Sequence, residues 1–409
     1  MITSGCATYH PIAIRSFRAN SRAVRGANTF GDDVDFLRQH TETVVLSDAS
    51  SAARVALCPA LQGRVATSTA AGEGGPSHGW LNRALIASGK HVPHMNVYGG
   101  ADRFWLGPEG GQFSLFFAPG APQDLEHWQT PAPIDTEAFA LVRQTEDSAL
   151  LRKSMRLTNA SGTTFELDVE REVRLCSTAQ TWNEAGAATN AGVRVVGFET
   201  RNRVANTGAA PWRRETGLIS IWIAGTFAPS PSTVIMLPFR WGPEARLGPV
   251  VNDRYFGRVP ADRLVGDGDA IYFRADGQQR GKVGLTSKRA LPALGSYDGD
   301  RVLTLVTYTQ PSDVVGRDYV NSLWEQQRDP YGGDTVNAYN DGPATPGAEP
   351  FGPFYELETS SPALALAAGE AAEHVHRTLH FTGRPADLDP IARAALGVGL
   401  DDVAAAFSR

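Results

Sequence analysis

Cysteine is scarce in this 409-residue sequence: Cys6, Cys58 and Cys176 are the whole set. Three thiols make no disulfide framework, and none stands in a Cys-x-x-Cys metal pair. Cys58, inside Val55-Ala56-Leu57-Cys58-Pro59, reads as a small buried hydrophobe. Runs of basic residues are missing too. Arg213-Arg214 and Lys288-Arg289 stand isolated, and the net charge is −6. Neutralising phosphates needs clustered Lys and Arg, so no nucleic-acid partner is expected. No apolar stretch approaches the length of a bilayer span, and none is expected. The absence of a fixed-period repeat speaks against propellers and solenoids. Histidine is also absent between His127 and His374.

What is present suits a large β protein. The chain carries 42 glycines and 26 prolines, as many strands joined by many turns require. Its 42% hydrophobic and 20% charged residues exclude long disorder, and its length allows a large core without disulfide or metal staples. Cys6 follows Ser4-Gly5, like the end of a lipoprotein signal, but Met1 leaves too few residues for an apolar signal region. No intact signal peptide is read, and cytoplasm and periplasm both stay open.

Along the chain, residues 1–29 read as an N-terminal arm, 30–384 as one β domain and 385–409 as a helical segment packed on it. Phe30–His40 fits a short helix. Val44–Leu46 and Ala53–Val65 read as a hairpin turning at Ser47–Ser51. Phe165–Leu175 alternates cleanly: Phe165, Leu167, Val169, Val173 and Leu175 share one face, with Glu166, Asp168, Glu170, Glu172 and Arg174 opposite. Val195–Val204, Leu218–Ile223, Val234–Phe239, Ala270–Arg274, Val302–Tyr308 and Leu364–Leu366 are further strands. This rhythm predicts an all-β antiparallel sandwich rather than a parallel α/β sheet. Near the C-terminus, Asp389-Pro390 reads as N-cap and first helical residue, with Gly397 as the stop. Asp401–Phe407 reads as another turn or two of helix.

Four segments carry the polar chemistry. His94–Phe117 sets His94, Asn96, Asp102, Arg103, Trp105 and Glu109 among five glycines. Glycines let backbone approach a ligand, and aromatic faces beside polar groups suit sugar rings. The alternative is a structural corner in which Arg103 pairs with Asp102 or Glu109. In Phe354–Ser361, Glu356 and Glu358 point the same way on a strand, roughly 7 Å apart, where each would raise the other's pKa. The alternative is a solvated face opposite Tyr355 and Leu357. His374–Phe381 puts His374, His376 and His380 on one face, where they read as acid/base groups or, with a third ligand such as His94 or Glu109, as holders of a divalent metal. Tyr319–Asp341 is a polar-aromatic loop holding Asn321, Trp324, Glu325, Asp334, Asn337, Tyr339, Asn340 and Asp341, suited either to binding or to plain turn chemistry.

Three stretches of the chain carry a likeness. Pro59-Ala60-Leu61-Gln62-Gly63-Arg64-Val65, Asn206-Thr207-Gly208 with Pro211-Trp212, and Leu357-Glu358-Thr359 resemble motifs of galactose-mutarotase-like proteins. The resemblance implies an antiparallel β-supersandwich with short peripheral helices at both termini, a sugar in its concave face and no cofactor. It further implies Glu358 as base; in an epimerase His94, His374 or His376 would then serve as the acid. Arg64, Arg103, Trp105, Asn96, Asp102, Glu109 and Arg377 would hold the substrate. Gly99–Gly111, Asp124–Pro131 and Tyr355–Pro362 resemble an uncharacterised bacterial family from about Phe30 to Leu400, for which no reaction is established. One departure stands out: mutarotases use two histidines, the second on a mid-chain strand, and the gap between His127 and His374 leaves that acid missing.

Three functions follow for a protein whose expected partner is a mono- or oligosaccharide. The first is a sugar epimerase. The second is a lyase or hydrolase drawing carboxylates from Glu356, Glu358 and Glu109, or a base and Arg103 for elimination. The third is a non-catalytic glycan-binding protein. The oligomeric state is not legible in the sequence.

Overall fold

The alternation in Phe165–Leu175 is the pattern on which the whole fold is built. In the computed structural model, which describes residues 28–299, 302–345 and 347–407, these residues lie in a strand whose apolar face is buried and whose charged face is exposed or half-exposed. Among the described residues the strands are β1 (Val44–Ser47), β2 (Arg54–Cys58), β3 (Arg64–Thr69), β4 (Arg103–Gly107), β5 (Ala140–Gln144), β6 (Ser148–Thr158), β7 (Thr164–Cys176), β8 (Arg194–Asn206) and β9 (Ser220–Phe227). They continue with β10 (Val234–Pro238), β11 (Leu264–Asp267), β12 (Ala270–Arg274), β13 (Gly281–Thr286), β14 (Ala293–Tyr297), β15 (Val302–Tyr308), β16 (Asp334–Asn340), β17 (Tyr355–Ser360) and β18 (Ala371–Thr382). The helices are short: α1 (Phe30–His40), α2 (Arg83–Ser88), α3 (Ala132–Asp135), α4 (Thr178–Glu184), α5 (Glu244–Leu247), α6 (Pro385–Leu396) and α7 (Leu400–Ala405).

Two large antiparallel sheets face each other. One has ten strands in the order β11-β12-β10-β14-β15-β18-β8-β7-β6-β5, the other five in the order β13-β16-β17-β9-β4. A small sheet β1-β2-β3 flanks them. Between the large sheets runs one apolar core, where Phe104, Ile221, Ile223, Val336 and Leu357 meet Val169, Phe198, Val204 and Val306. The far face of the ten-stranded sheet buries Leu303, Leu305, Leu379 and Phe381 against Trp182 of α4 and Leu388, Ile391 and Leu396 of α6. The layers are therefore helices, ten strands, core, five strands. The mostly-β antiparallel architecture expected from the sequence is the one observed.

Several boundaries differ from the sequence reading. The strand expected over Ala53–Val65 is two strands, because Pro59–Leu61 forms a 3-10 turn and Gln62 and Gly63 take φ of 63° and 61°. Leu364–Leu366 is not a strand; Leu364 makes only an isolated bridge to Ile219. Helix α6 begins at Pro385, so Pro390 lies inside it. Proline in a helix interior forfeits a backbone bond, which burial of Leu388, Ile391, Ala392 and Leu396 outweighs. Gly397 ends that helix in the left-handed conformation, as expected. The second half of the expected loop Tyr319–Asp341 is β16, a strand inside the five-stranded sheet. Most of the N-terminal arm, with Cys6, lies outside the described residues.

Candidate functional site

Register decides which side chains meet on the five-stranded sheet. Lys282, Tyr339, Glu356 and Thr226 stand in one row across β13, β16, β17 and β9. One pleat along, Asn337, Glu358, Ala224 and Arg103 form the next row, and beyond it Trp222 opposes Trp105. Opposite residues of an antiparallel pair project to the same side. The intervening residues Ala338, Leu357, Thr359, Ile223 and Phe104 therefore project into the core, and all are buried. The polar rows point away from it.

On that outer side lies a hollow that opens to solvent. Its floor includes Arg103, Trp105, Trp222, Thr226, Lys282, Tyr339 and Glu356; Arg64, Asn96, Glu109, Trp128, Trp324 and Arg280 line its walls. Leu125, Phe256 and Phe351 also line it, 48%, 44% and 37% exposed respectively. Scattered exposed apolar residues are ordinary, but three around one concavity make it a candidate binding surface.

The charges on the floor are paired. The Arg103 guanidinium carbon lies 3.6 Å from the Trp105 ring centroid, and its Nη2 donates to Glu356 Oε1 at 3.1 Å. Thr226 Oγ1 donates to the same oxygen at 3.3 Å. Below them, Glu358 Oε2 accepts from Lys282 Nζ at 2.9 Å and from Trp222 Nε1 at 2.8 Å, while its Oε1 is buried without a partner. Burial raises the Glu358 pKa against the pull of Lys282. Burial also opposes the Lys282 ammonium, but Glu358 and Glu109 outweigh it and raise the lysine's pKa.

Glu109 differs. Among the described residues its carboxylate has no ion pair, and burial pushes its pKa up to about 7, beyond what Lys282 offsets. One acid poised near neutrality and one ion-paired carboxylate, Glu356, thus share a concavity.

Of the residues singled out by sequence, Arg64, Asn96, Arg103, Trp105, Glu109 and Glu356 line this hollow. Glu358 lies beneath it, 1% exposed. The histidines do not join them. His374 Nε2 and His376 Nδ1 both bond Thr359 Oγ1, at 2.7 and 2.9 Å, on the core side of the sheet. His380 bonds Thr304 and stacks on His78 at 4.4 Å. Burial lowers the pKa of His374 to about 3 and of His376 to about 4. Asp102 is in the same layer, bonded to Arg171 and to Thr200 Oγ1. Arg171 interrupts the apolar face of β7 for this pairing and also donates to Gly63 O and Asn202 Oδ1. Arg377 lies on the far face with Glu184 and Glu199. His94 Nδ1 donates to Trp128 O at 2.6 Å outside the lining.

The metal reading loses its ligands as well. His374 and His376 are separated from His94 and Glu109, and among the described residues no group of three His, Cys, Asp or Glu side chains could hold an ion. The glycines of Gly99–Gly111 also have another use. A Cβ on Gly99 would stand 2.2 Å from Trp80 O, and one on Gly100 2.7 Å from Arg64 Cδ, so they let the chain approach itself. The alternative pairing of Arg103 with Asp102 or Glu109 is replaced by Glu356. From Tyr319–Asp341, Trp324 and Tyr339 reach the hollow, while Asp334 accepts from Tyr255 Oη and Asn252 Nδ2.

Trp222, Lys282, Arg280, Trp128 and Phe256 were not singled out by sequence. For Lys282 a signal existed: it is a lone cation in Gly281-Lys282-Val283-Gly284-Leu285-Thr286, a run otherwise fit for a buried strand.

Fold and site together define an antiparallel β-supersandwich protein with an aromatic hollow of mixed charge on the outer face of its five-stranded sheet. The chain belongs to the family of unknown function DUF6786, whose model matches residues 28–407. No curated protein matches it. Among solved structures it is similar to the Slr1438 protein of Synechocystis sp. PCC 6803, at 15% identity and TM-score 0.46, covering 84% of this chain and 96% of that one. It is similar to a putative aldose 1-epimerase of Escherichia coli K12, at 15% identity and TM-score 0.46, covering 84% and 100%. A galactose mutarotase-like protein of Lactobacillus casei ATCC 334 has 10% identity and TM-score 0.46, covering 83% and 100%.

Proposed function

We propose that the hollow binds a sugar and that Glu109 and Glu356 exchange protons with its ring, making the protein an aldose epimerase of mutarotase type. One observation carries the reading: a carboxyl group with no ion pair among the described residues, pushed to about 7 by burial, shares an aromatic-lined concavity with a carboxylate held by Arg103. A carboxyl group raised toward neutrality can give a proton where a neighbouring ion-paired carboxylate takes one. Glu356 takes the proton of the anomeric hydroxyl as Glu109 gives one to the ring oxygen. The bond from anomeric carbon to ring oxygen then breaks, leaving the open aldehyde. Rotation about the next carbon–carbon bond and the reverse transfers close the other anomer, returning both protons. Indole faces take the axial C–H groups of the pyranose. Glu358, which sequence likeness marks as the base, would here hold Lys282 and Trp222 in place.

A second reading is glycoside cleavage, favoured by the exposed rim of Leu125, Phe256 and Phe351, which suits a ligand longer than one ring. The test is anomer equilibration followed by NMR on a panel of aldoses, beside a reducing-end assay on glycosides. Acceleration that Glu109→Gln abolishes supports the epimerase. New reducing ends transfer the site to hydrolysis, and saturable binding without turnover leaves a glycan-binding protein.

A further inference from the structure

The hollow holds more hydrogen-bond donors than its own acceptors satisfy. Arg103 and Lys282 have carboxylate partners. Arg64 and Arg280 have none among the described residues: Arg64 donates to Gly99 O and Gln62 Oε1, and Arg280 lies over the Phe351 ring with its guanidinium carbon 4.4 Å from the centroid. Five buried N–H nitrogens on these lining residues have no acceptor among the described residues, namely Arg64 Nε, Arg103 Nη1, Arg280 Nε, Trp105 Nε1 and Trp128 Nε1. Among the described residues, Glu358 Oε1 is the one fully buried side-chain acceptor left over there, beside the carboxyl group of Glu109, which has no ion pair. Buried donors without acceptors are costly, and native proteins seldom keep several together without a use for them.

The charge balance points the same way. Arg64, Arg103, Arg280 and Lys282 line the hollow against Glu109 and Glu356, with Glu358 beneath, in a chain whose net charge is −6. A cationic concavity in an acidic protein concentrates its field on ligands of negative charge.

We propose that the natural ligand is a sugar bearing an anionic oxygen group, a carboxylate or a phosphate, with Arg280 as the partner of that group and Arg64 and Arg103 turned to the oxygens of the ring. The proposal rests on the sugar-binding reading above. Arg280 precedes Lys282 by two residues, on the same side by strand alternation, and it is only partly buried. It can therefore be altered without disturbing the core.

Trp105, Trp128, Trp222 and Trp324 line the hollow, so ligand entry can be read as a change in tryptophan fluorescence. The probes are glucose and galactose, their uronates, their 6-phosphates, and inorganic phosphate and acetate alone. At least one sugar anion should bind about ten- to a hundred-fold more tightly than its neutral parent. Added salt should weaken that preference. Arg280→Gln should erase it, and Arg280→Lys should restore part of it. Whether uronate or phosphate shows the preference identifies the anionic group. Equal affinity for neutral and anionic sugars overturns this inference and leaves the sugar reading standing. Inorganic phosphate or acetate binding as tightly as the sugar anions overturns the sugar reading and this inference with it, and so does a fluorescence signal unmoved by every probe.

Discussion

Lys282 donates to Glu358 Oε2 at 2.9 Å beneath the hollow, and the two side chains are 6% and 1% exposed. An ion pair so buried gains little over apolar groups of the same shape, but a single survivor is an uncompensated buried charge. Lys282→Met and Glu358→Leu should each destabilise the fold by about 3–5 kcal/mol. The double variant should lose much less than their sum. Urea unfolding of the four proteins closes the cycle, and strict additivity would show that the pair is not coupled.

The next residue along β17, Thr359, faces the opposite side and receives His374 and His376 there. Both histidines should therefore be dispensable for sugar chemistry and important for stability. His374→Ala should leave anomer equilibration within a few-fold of the parent. The pH dependence has a definite sign. The folded imidazoles titrate near 3 and 4 against an ordinary value of 6.5, so between those values the unfolded chain binds more protons. Stability contributed by the neutral pair is present above about 6.5 and lost as pH falls through that window. Replacing His374 should flatten the acid limb of the unfolding curve.

Asp102 and Arg171, both fully buried, tie β7 to the chain entering β4. Asp102→Ala leaves the guanidinium with Gly63 O and Asn202 but no charge to balance it. A loss of about 3–5 kcal/mol is expected by calorimetry or denaturant. A near-neutral result would mean that water reaches the arginine.

These cases show what a sequence of this kind discloses and what it withholds. Alternation assigned the correct partners on β7, β17 and β18, because side-chain direction along a strand is fixed by the backbone. It could not say which side of the ten-stranded sheet faces the core, since helices bury the other side as well. Hence Glu356 and Glu358 were rightly placed on one face, while His374, His376 and His380 were given to the ligand and in fact lie in the core between the sheets. Arg171 escaped notice because it breaks an apolar face, and its partner Asp102 lies 69 positions away. Trp222 and Lys282 escaped because the hollow exists only once β4, β9, β13, β16 and β17 assemble, in an order unrelated to sequence. The helix that begins at Pro385 was misplaced since packing on the ten-stranded sheet outweighs one proline.

Phe351 is 37% exposed at the edge of the hollow, over which Arg280 lies. Phe351→Ala removes a ring that is mostly buried, so stability should fall by about 1–2 kcal/mol. If the rim receives a second sugar ring, the variant should bind disaccharides several-fold more weakly and monosaccharides unchanged. Parallel losses for both would place Phe351 in the first subsite instead.

Glu109 gives the sharpest test of the chemistry. Its folded pKa is about 7 against 4.5 for an ordinary glutamate, so between these values the folded state binds the extra proton. The stability gained by keeping Glu109 protonated is lost as pH rises through that window, opposite in sense to the histidines. Glu109→Gln, neutral at every pH, should remove this slope and leave the protein relatively more stable above pH 7 than its parent. As proton donor, Glu109 should also govern the alkaline side of the rate profile, with anomer equilibration falling above about pH 7. Glu109→Gln should lower the rate by about a hundred-fold or more, as general acids commonly contribute, while fluorescence reports sugar binding intact. A variant with the parent's rate and the parent's pH profile would remove Glu109 from the reaction even if its effect on stability appeared as described.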